Sequence, residues 1–112
     1  MMAEYSFLVV FITAPHQQVA EHLSRILVET KTAACVNIIP RVNSFFHWEG
    51  AVSEEEEYLL IVKTRSSYFE DKLVPLVKEH HPYQVPEIIA LPIVRGSKDY
   101  LDWMKEETGS AG

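Results

Sequence analysis

The first extended segment of the sequence is apolar on both of its faces, and this feature restricts the fold more than any other. Residues 5–13 read YSFLVVFIT, a run of β-branched and aromatic side chains without alternation of apolar and polar positions. Such a strand is typical of a sheet that is covered on both faces. The rest of the chain therefore has to supply a cover for each face.

Amphipathic helical segments and further strands alternate along the rest of the chain. Pro15 suits the first turn of one helix, and Ser67 with Glu70 three residues later predicts a capping box at the start of another. Pro75, inside the second helical pattern, predicts a kink or a break. The predicted elements are strands at 5–13, 33–40 continuing at 43–48, 57–64 and 87–94, and helices at 15–31, from Ser67 and from Ser97.

The order of these elements, β-α-β-β-α-β with a further C-terminal helix, predicts a ferredoxin-like fold of the α+β class in one domain, residues 1–112. Its two main helices cover only one face of the sheet. Because three of the four strands are apolar on both faces, the other face would expose more apolar surface than a monomer usually tolerates. We therefore expect self-association. The alternative is that the short C-terminal helix covers this face alone.

Composition and charge exclude several classes of function. The formal net charge of −6 argues against nucleic acid, because neutralising phosphates requires a basic patch. The apolar run at 7–12 is too short for a membrane span and has no Lys or Arg before it, unlike a signal peptide. The single cysteine, Cys35, excludes an intrachain disulfide. We expect a cytoplasmic protein.

Two adjacent histidines, His80 and His81, end the second predicted helix directly before Pro82. His80 prolongs the apolar stripe of that helix, whereas the proline forces His81 out of helical conformation. Adjacent side chains on a helix diverge, although the break at Pro82 relaxes this restriction. Imidazole suits copper, zinc and nickel, and Cys35 could add a thiolate. A metal site and a structural role for these residues both remain open.

Lys63 is a lone cation at the end of an otherwise apolar strand. A buried ammonium group needs a partner, and Glu87 at the start of the fourth strand is the predicted one. The alternative is that the lysine reaches solvent. Trp48 and Tyr83 could supply the walls of a pocket with polar tips.

Motifs typical of enzymes are absent. The sequence contains no glycine-rich phosphate loop, nucleophile elbow or HExxH motif, so we expect no catalytic activity. The four glutamates at 54–57 follow a predicted hairpin turn and are expected to be solvated at a sheet edge, not to form a cation site.

Five motifs, taken together and in this order, resemble the CutA family of divalent-cation tolerance proteins. They are AACVNIIP, WEG, KT, HPYQVPEIIALP and YLDW, at 33–40, 48–50, 63–64, 81–92 and 100–103. The resemblance implies a ferredoxin-like protomer in a homotrimer, with the second and third strands pairing between subunits as in PII-like trimers. It also implies binding of Cu²⁺ or another divalent metal, no organic cofactor and no agreed catalytic activity.

The resemblance also suggests site residues. In family members assigned a copper site, the ligands are a cysteine near the end of the first strand and two adjacent histidines. His80 and His81 match that pair, whereas Ile12 occupies the cysteine position and cannot ligate a metal. We predict His80, His81 and Cys35 as metal ligands. Four further residues match positions near clefts between subunits: Trp48, Lys63, Tyr83 and Glu87.

These features leave three hypotheses for the function. The first is a homotrimeric protein that binds divalent metal, copper above others, in a metal-tolerance role. The second is a PII-like module that holds an anionic metabolite through Lys63 in a cleft between subunits. The third is a trimeric scaffold for interactions with other proteins.

Overall fold

Four antiparallel strands and the helices packed on them form the structure, a computed structural model that describes residues 5–109. Residues 1–4 and 110–112 of the predicted domain lie outside this range. The strands are β1 (Phe7–Ala14), β2 (Ala33–Trp48), β3 (Ala51–Arg65) and β4 (Ile88–Pro92), and the α-helices are α1 (Gln17–Glu29), α2 (Val74–His80) and α3 (Lys98–Glu107). The strand order is β2-β3-β1-β4, and neighbouring strands are antiparallel. The α+β class and the predicted order of elements are confirmed.

One face of the sheet packs against α1 and α2 and forms the core. Ile12 of β1 is fully buried there, together with Leu23 and Leu27 on one side of α1 and Val77 of α2. Burying each such side chain stabilises the fold by about 1.5–3 kcal/mol. Ile12, which the family resemblance matches to a cysteine ligand, is therefore part of the core in this chain.

The segment that leads into α2 differs from the prediction. Ser66–Tyr68 form a 3-10 turn and Phe69–Leu73 a π-helical turn before α2 begins. Neither turn has a side-chain cap among the described residues, so the predicted capping box does not form. Pro75 lies in the first turn of α2, where its missing N–H leaves no helical hydrogen bond unmade. The helix changes from a π-helical to an α-helical turn directly before this proline, where a kink or a break was predicted.

Strands β2 and β3 form a hairpin that is longer than predicted. β3 begins at Ala51 and not at 57, so all four glutamates at 54–57 lie within the strand. The β2 strand is bent as predicted: its register shifts between Ile39 and Val42, where Arg41 has a φ of 64°. We call the outer part of this hairpin, residues 42–57, the arm. Its exposed large side chains are Phe45, Phe46, Trp48 and Val52.

The sheet face opposite α1 and α2 is apolar and only partly covered, as the sequence predicted. We call it the open face. Because cross-strand partners share a face, its apolar members follow from the register: Val9, Phe11, Ile39, Leu59, Ile61, Ile89 and Leu91. Helix α3 has its main contacts with β2 and β3, and Ile89 and Leu91 of β4 remain 56% and 57% exposed. One short helix therefore does not cover this face within a protomer.

Candidate functional site

The imidazole of His80 lies at the C-terminal end of α2 and faces the imidazole of His22 on α1. Nδ1 of His80 and Nε2 of His22 are 3.0 Å apart, and the ring centroids are separated by 4.9 Å. Nε2 of His80 lies 3.7 Å from the Glu79 carboxylate. His22 is exposed and His80 half-buried, so solvent ions can reach the pair.

His81 is buried and both of its ring nitrogens are engaged. Nε2 lies 2.7 Å from the carbonyl oxygen of Thr13, which can only accept, so this nitrogen carries the proton. Nδ1 accepts a hydrogen bond of 3.1 Å from the backbone N–H of Tyr83. Because neither nitrogen has a free lone pair, His81 cannot bind a metal in this conformation. It joins the end of β1 to the segment after α2.

Cys35 is half-buried on the open face, beside Lys63. The two residues are cross-strand partners, and the lysine Nζ lies 4.0 Å from Sγ. The same ammonium group donates a hydrogen bond to Oδ1 of Asn37. Burial raises the pKa of Tyr100 on α3, and the neighbouring Cys35 raises it further. The predicted pairing of Lys63 with Glu87 is wrong, since the lysine contacts polar groups of β2 instead.

The structure does not bring the three predicted metal ligands together within one protomer. Cys35 lies on the open face, whereas His80 belongs to the helical layer on the other side of the sheet. His81 is turned toward Thr13. Within residues 5–109, no group of three or more His, Cys, Asp or Glu side chains could hold a metal ion. The structure does place two imidazoles face to face, those of His80 and His22. His22 was not among the candidate residues identified from the sequence.

Glu57 and Tyr83 form a polar contact where the segment after α2 passes the end of β1. Glu57 is buried, and its carboxylate accepts a hydrogen bond of 2.8 Å from the Tyr83 hydroxyl. Burial raises the pKa of Tyr83, and the hydrogen bond and charge of Glu57 raise it further, so the hydroxyl stays protonated. Burial also raises the pKa of Glu87, with a second contribution from the charge of Glu57. Glu57 is therefore not the solvated glutamate that the sequence suggested.

The four predicted cleft residues occupy three separate places in the protomer. Trp48 lies at the tip of the arm, opposite Ala51, and is 65% exposed. At the usual rise per residue, the distance along β3 from Ala51 to Lys63 is about 40 Å. The distance from Glu57, which contacts Tyr83, to Lys63 is about 20 Å. Trp48 could therefore lie close to the other three residues only if they belong to a different copy of the chain.

Three residues with functional contacts were not predicted as such. Asn37 could have been found, since it lies two positions from Cys35 on the strand and so shares its face. The burial of Glu57 depends on the position of Tyr83, and the role of His22 depends on how α1 packs beside α2. Neither contact has a signal in the local sequence pattern.

The fold and these groups define a small α+β protein that presents imidazole, thiol and carboxylate groups near its surface. A family model described as CutA1 divalent ion tolerance protein matches residues 8–107. The chain belongs to the CutA1 family. This confirms the family resemblance seen in its motifs.

Individual relatives agree with this assignment. The chain is 52% identical over 101 residues to the divalent-cation tolerance protein CutA of Thermus thermophilus. This alignment covers 90% of this chain and 97% of that protein. It is 42% identical over 100 residues to protein CutA of Homo sapiens, covering 89% of this chain and 55% of that protein. The chain therefore spans nearly all of the bacterial relative and about half the length of the human one.

Solved structures show the same fold. The divalent cation tolerance protein Cut A1 of Thermus thermophilus superposes with a TM-score of 0.89 at 50% identity, covering 92% of this chain and 99% of that chain. CutA1 of Oryza sativa gives a TM-score of 0.91 at 43% identity, covering 96% and 97% of the two chains. Within residues 5–109, no helix has the length and apolar character needed to cross a membrane.

Proposed function

We propose that this chain forms a homotrimer that binds divalent metal, copper above others, in a metal-tolerance role. Membership of the CutA1 family supports the metal-tolerance role. The observation that carries metal binding is the accessible imidazole of His80 at the C-terminal end of α2. Imidazole is a preferred ligand of copper, nickel and zinc, and a cation is favoured beside the carbonyl groups that end a helix.

The open face and the arm support self-assembly. The strand order β2-β3-β1-β4, with helices on one face, is the order expected of a ferredoxin-like protomer. Such a protomer leaves the open face uncovered, and a contiguous apolar patch of this kind is typical of an interface. The exposed aromatic residues of the arm are a second apolar surface, and the edge strand β2 offers backbone groups for pairing with another copy.

The residues of this chain that would hold the metal are imidazoles, which bind in their neutral form. The unperturbed pKa of histidine is about 6.5, so a bound metal must compete with protons below that pH. The metal itself supplies only its affinity for nitrogen ligands. We propose a binding role without catalysis. The cytoplasmic location remains a prediction from the sequence.

Calorimetric titration of the purified protein with Cu²⁺ tests this proposal, with the mass in solution measured by light scattering. We expect a mass of three chains and a copper affinity that falls clearly between about pH 7.5 and about pH 5. Absence of copper binding at the higher pH would contradict the metal-binding role. An affinity that does not change between the two pH values would exclude histidine ligands.

A second candidate function rests on Lys63. Its ammonium group contacts the neutral groups of Asn37 and Cys35, and no carboxylate of the described residues lies within ion-pair distance of it. A cation without an acidic partner could hold an anionic metabolite in a cleft between subunits, as in PII-like proteins. Such a ligand would raise the melting temperature of the wild-type protein but not of a Lys63→Ala variant. A broad metabolite screen without any shift would remove this candidate.

A further inference from the structure

We propose that His22 and His80 together chelate one divalent cation of the copper, nickel and zinc group. The inference rests on the proposed metal-binding function and names the ligands of that site. The sequence had suggested His80 and His81 as the histidine pair. In the proposed site the partner of His80 is instead His22, which lies 58 positions away in the sequence on a different helix. His22 belongs to none of the sequence motifs that resemble the CutA family.

The spacing of the two nitrogens fits two adjacent positions around a metal ion. Bonds of about 2.0–2.1 Å to two imidazole nitrogens place those nitrogens about 2.8–3.4 Å apart at square-planar or tetrahedral angles. Nδ1 of His80 and Nε2 of His22 are 3.0 Å apart. Side-chain rotation alone can direct both lone pairs at one ion, because His22 is exposed and the rings are inclined by 58° and not stacked.

The proton between the two rings can leave its position without any change of charge. In the metal-free pair, one of the two facing nitrogens donates an N–H to the other. When a metal takes this place, the proton moves to the outer nitrogen of the same ring, so both rings stay neutral and both inner lone pairs bind the ion. The remaining coordination positions face solvent and can be filled by water.

Glu79 places a negative charge close to the imidazole of His80. Its Oε2 lies 3.7 Å from Nε2 of His80, the nitrogen that faces away from His22. At this distance the carboxylate makes no hydrogen bond to the ring, but its negative charge favours a cation bound at His80. The C-terminal end of α2 adds a favourable electrostatic field for a cation.

His81 cannot take the place of His22. Its two ring nitrogens hold the Thr13 carbonyl and the Tyr83 N–H, and its ring is buried. Binding a metal would leave at least one of these backbone groups without a partner, which costs free energy. The proposed chelate uses only side chains that solvent reaches.

The test is a calorimetric titration of the assembled protein with Cu²⁺ and with Zn²⁺, combined with pulsed electron paramagnetic resonance of the copper-loaded protein. We expect two imidazoles on copper in the wild-type protein and one in the His22→Ala and His80→Ala variants. Each of these variants should lose more affinity than the roughly 10- to 100-fold typical of changing a group behind a ligand. A Glu79→Gln variant should lose less affinity than either of them, because it removes only a nearby exposed charge. The controls are His16→Ala and His47→Ala, which should leave both readings unchanged.

The results distinguish failure of this site from failure of the proposed function. Copper bound with unchanged affinity and two imidazoles in the His22→Ala variant overturns the chelate but keeps metal binding. A wild-type protein that binds no copper overturns both. Circular dichroism and light scattering verify that each variant is folded and assembled. If a variant does not fold or assemble, the number of imidazoles bound to copper in the wild-type protein tests the chelate: two support it and one overturns it.

Discussion

The backbone at His81 determines what each of two adjacent histidines contacts. His80 is the last residue of α2, whereas His81 has the extended dihedral angles φ −98° and ψ 135°. Pro82 disfavours helical conformation in the residue before it, so the chain leaves the helix there. The two imidazoles consequently point to different surroundings. His80 faces His22 near solvent, and His81 is buried against Thr13.

A His81→Ala substitution should destabilise the fold. It leaves the Thr13 carbonyl and the Tyr83 N–H without their partners, and we expect a loss of about 2–3 kcal/mol in the free energy of unfolding. Urea denaturation measures this loss. A His16→Ala variant is the control, because His16 is exposed and its side chain caps no helix. Equal stability of the two variants would refute the structural role of His81.

Glu87 should make stability depend on pH. Its pKa is raised in the folded protein by burial and then by the charge of Glu57, so the folded state binds a proton more tightly than the unfolded state does. Stability contributed by this group therefore falls as pH rises from the ordinary value of 4.5 through the raised pKa. Above that window, the charged carboxylate is a net cost to the folded state.

A Glu87→Gln variant should consequently be more stable than the wild-type protein at neutral pH. We expect a gain of at most about 0.5 kcal/mol, because Glu87 is only partly desolvated and solvent screens the repulsion. The gain should vanish below the ordinary pKa of a glutamate. Thermal denaturation across this pH range measures it, with Glu56→Gln as a control for the change in net charge. The same gain in the control, or a gain that persists in acid, would contradict this assignment.

At the scale of single elements, the β2–β3 hairpin depends on a two-residue turn with positive φ at both positions. Trp48 and Ala51 are partners across the turn, and Glu49 and Gly50 have φ values of 51° and 81°. This is the backbone of a type I′ turn, whose twist matches that of the strands. Glycine adopts it readily, whereas glutamate is strained there.

Replacing Glu49 by Asn should stabilise the arm. Asparagine tolerates the left-handed region better than glutamate and is typical of this turn position, so we expect a gain of about 0.5–1 kcal/mol. A rise in the melting temperature would verify it. As a matched control, Glu56→Asn within the strand should bring no gain, because asparagine is disfavoured there. A lower melting temperature for the Glu49→Asn variant would argue against strain at this turn.

At the scale of the whole molecule, the open face determines whether a single copy of the chain can bury its apolar surface. The helices α1 and α2 cover one side of the sheet, and α3 packs mainly against the β2 and β3 part of the other. A two-stranded arm is at best marginally stable by itself in water, and the arm here exposes Trp48 and Phe45 by 65% and 66%. The proposed assembly would bury both features against further copies of the chain.

An Ile89→Asp substitution tests this explanation. Ile89 lies on the open face and is 56% exposed in the protomer, so the change should cost little in an isolated chain. In an assembly it would bury an unpaired charge, which is strongly unfavourable. We expect light scattering to show a mass of one chain for the variant and of three chains for the wild-type protein. Val28→Asp on α1, 43% exposed on the helical side, is the control and should remain trimeric. An Ile89→Asp variant with unchanged mass would exclude this face from the interface.

The sequence by itself determined the number, order and approximate limits of the elements. Apolar periodicity distinguishes strands from helices, and residues such as Pro75 and Gly50 interrupt them, because these effects act within a few positions of the chain. The same reasoning indicated the open face, since a strand that is apolar on both sides needs two covers. It failed for the start of β3, which was predicted at 57 where the apolar run begins, whereas the strand already includes the polar residues from Ala51.

Only the tertiary structure decided which polar side chains meet. His22 and His80 are separated by 58 positions, Lys63 and Asn37 by 26, and Tyr83 and Glu57 by 26. These contacts depend on how the helices pack and on which strand residues lie opposite each other. Both are set by burial of the whole core, to which every element contributes, and no local pattern contains that information.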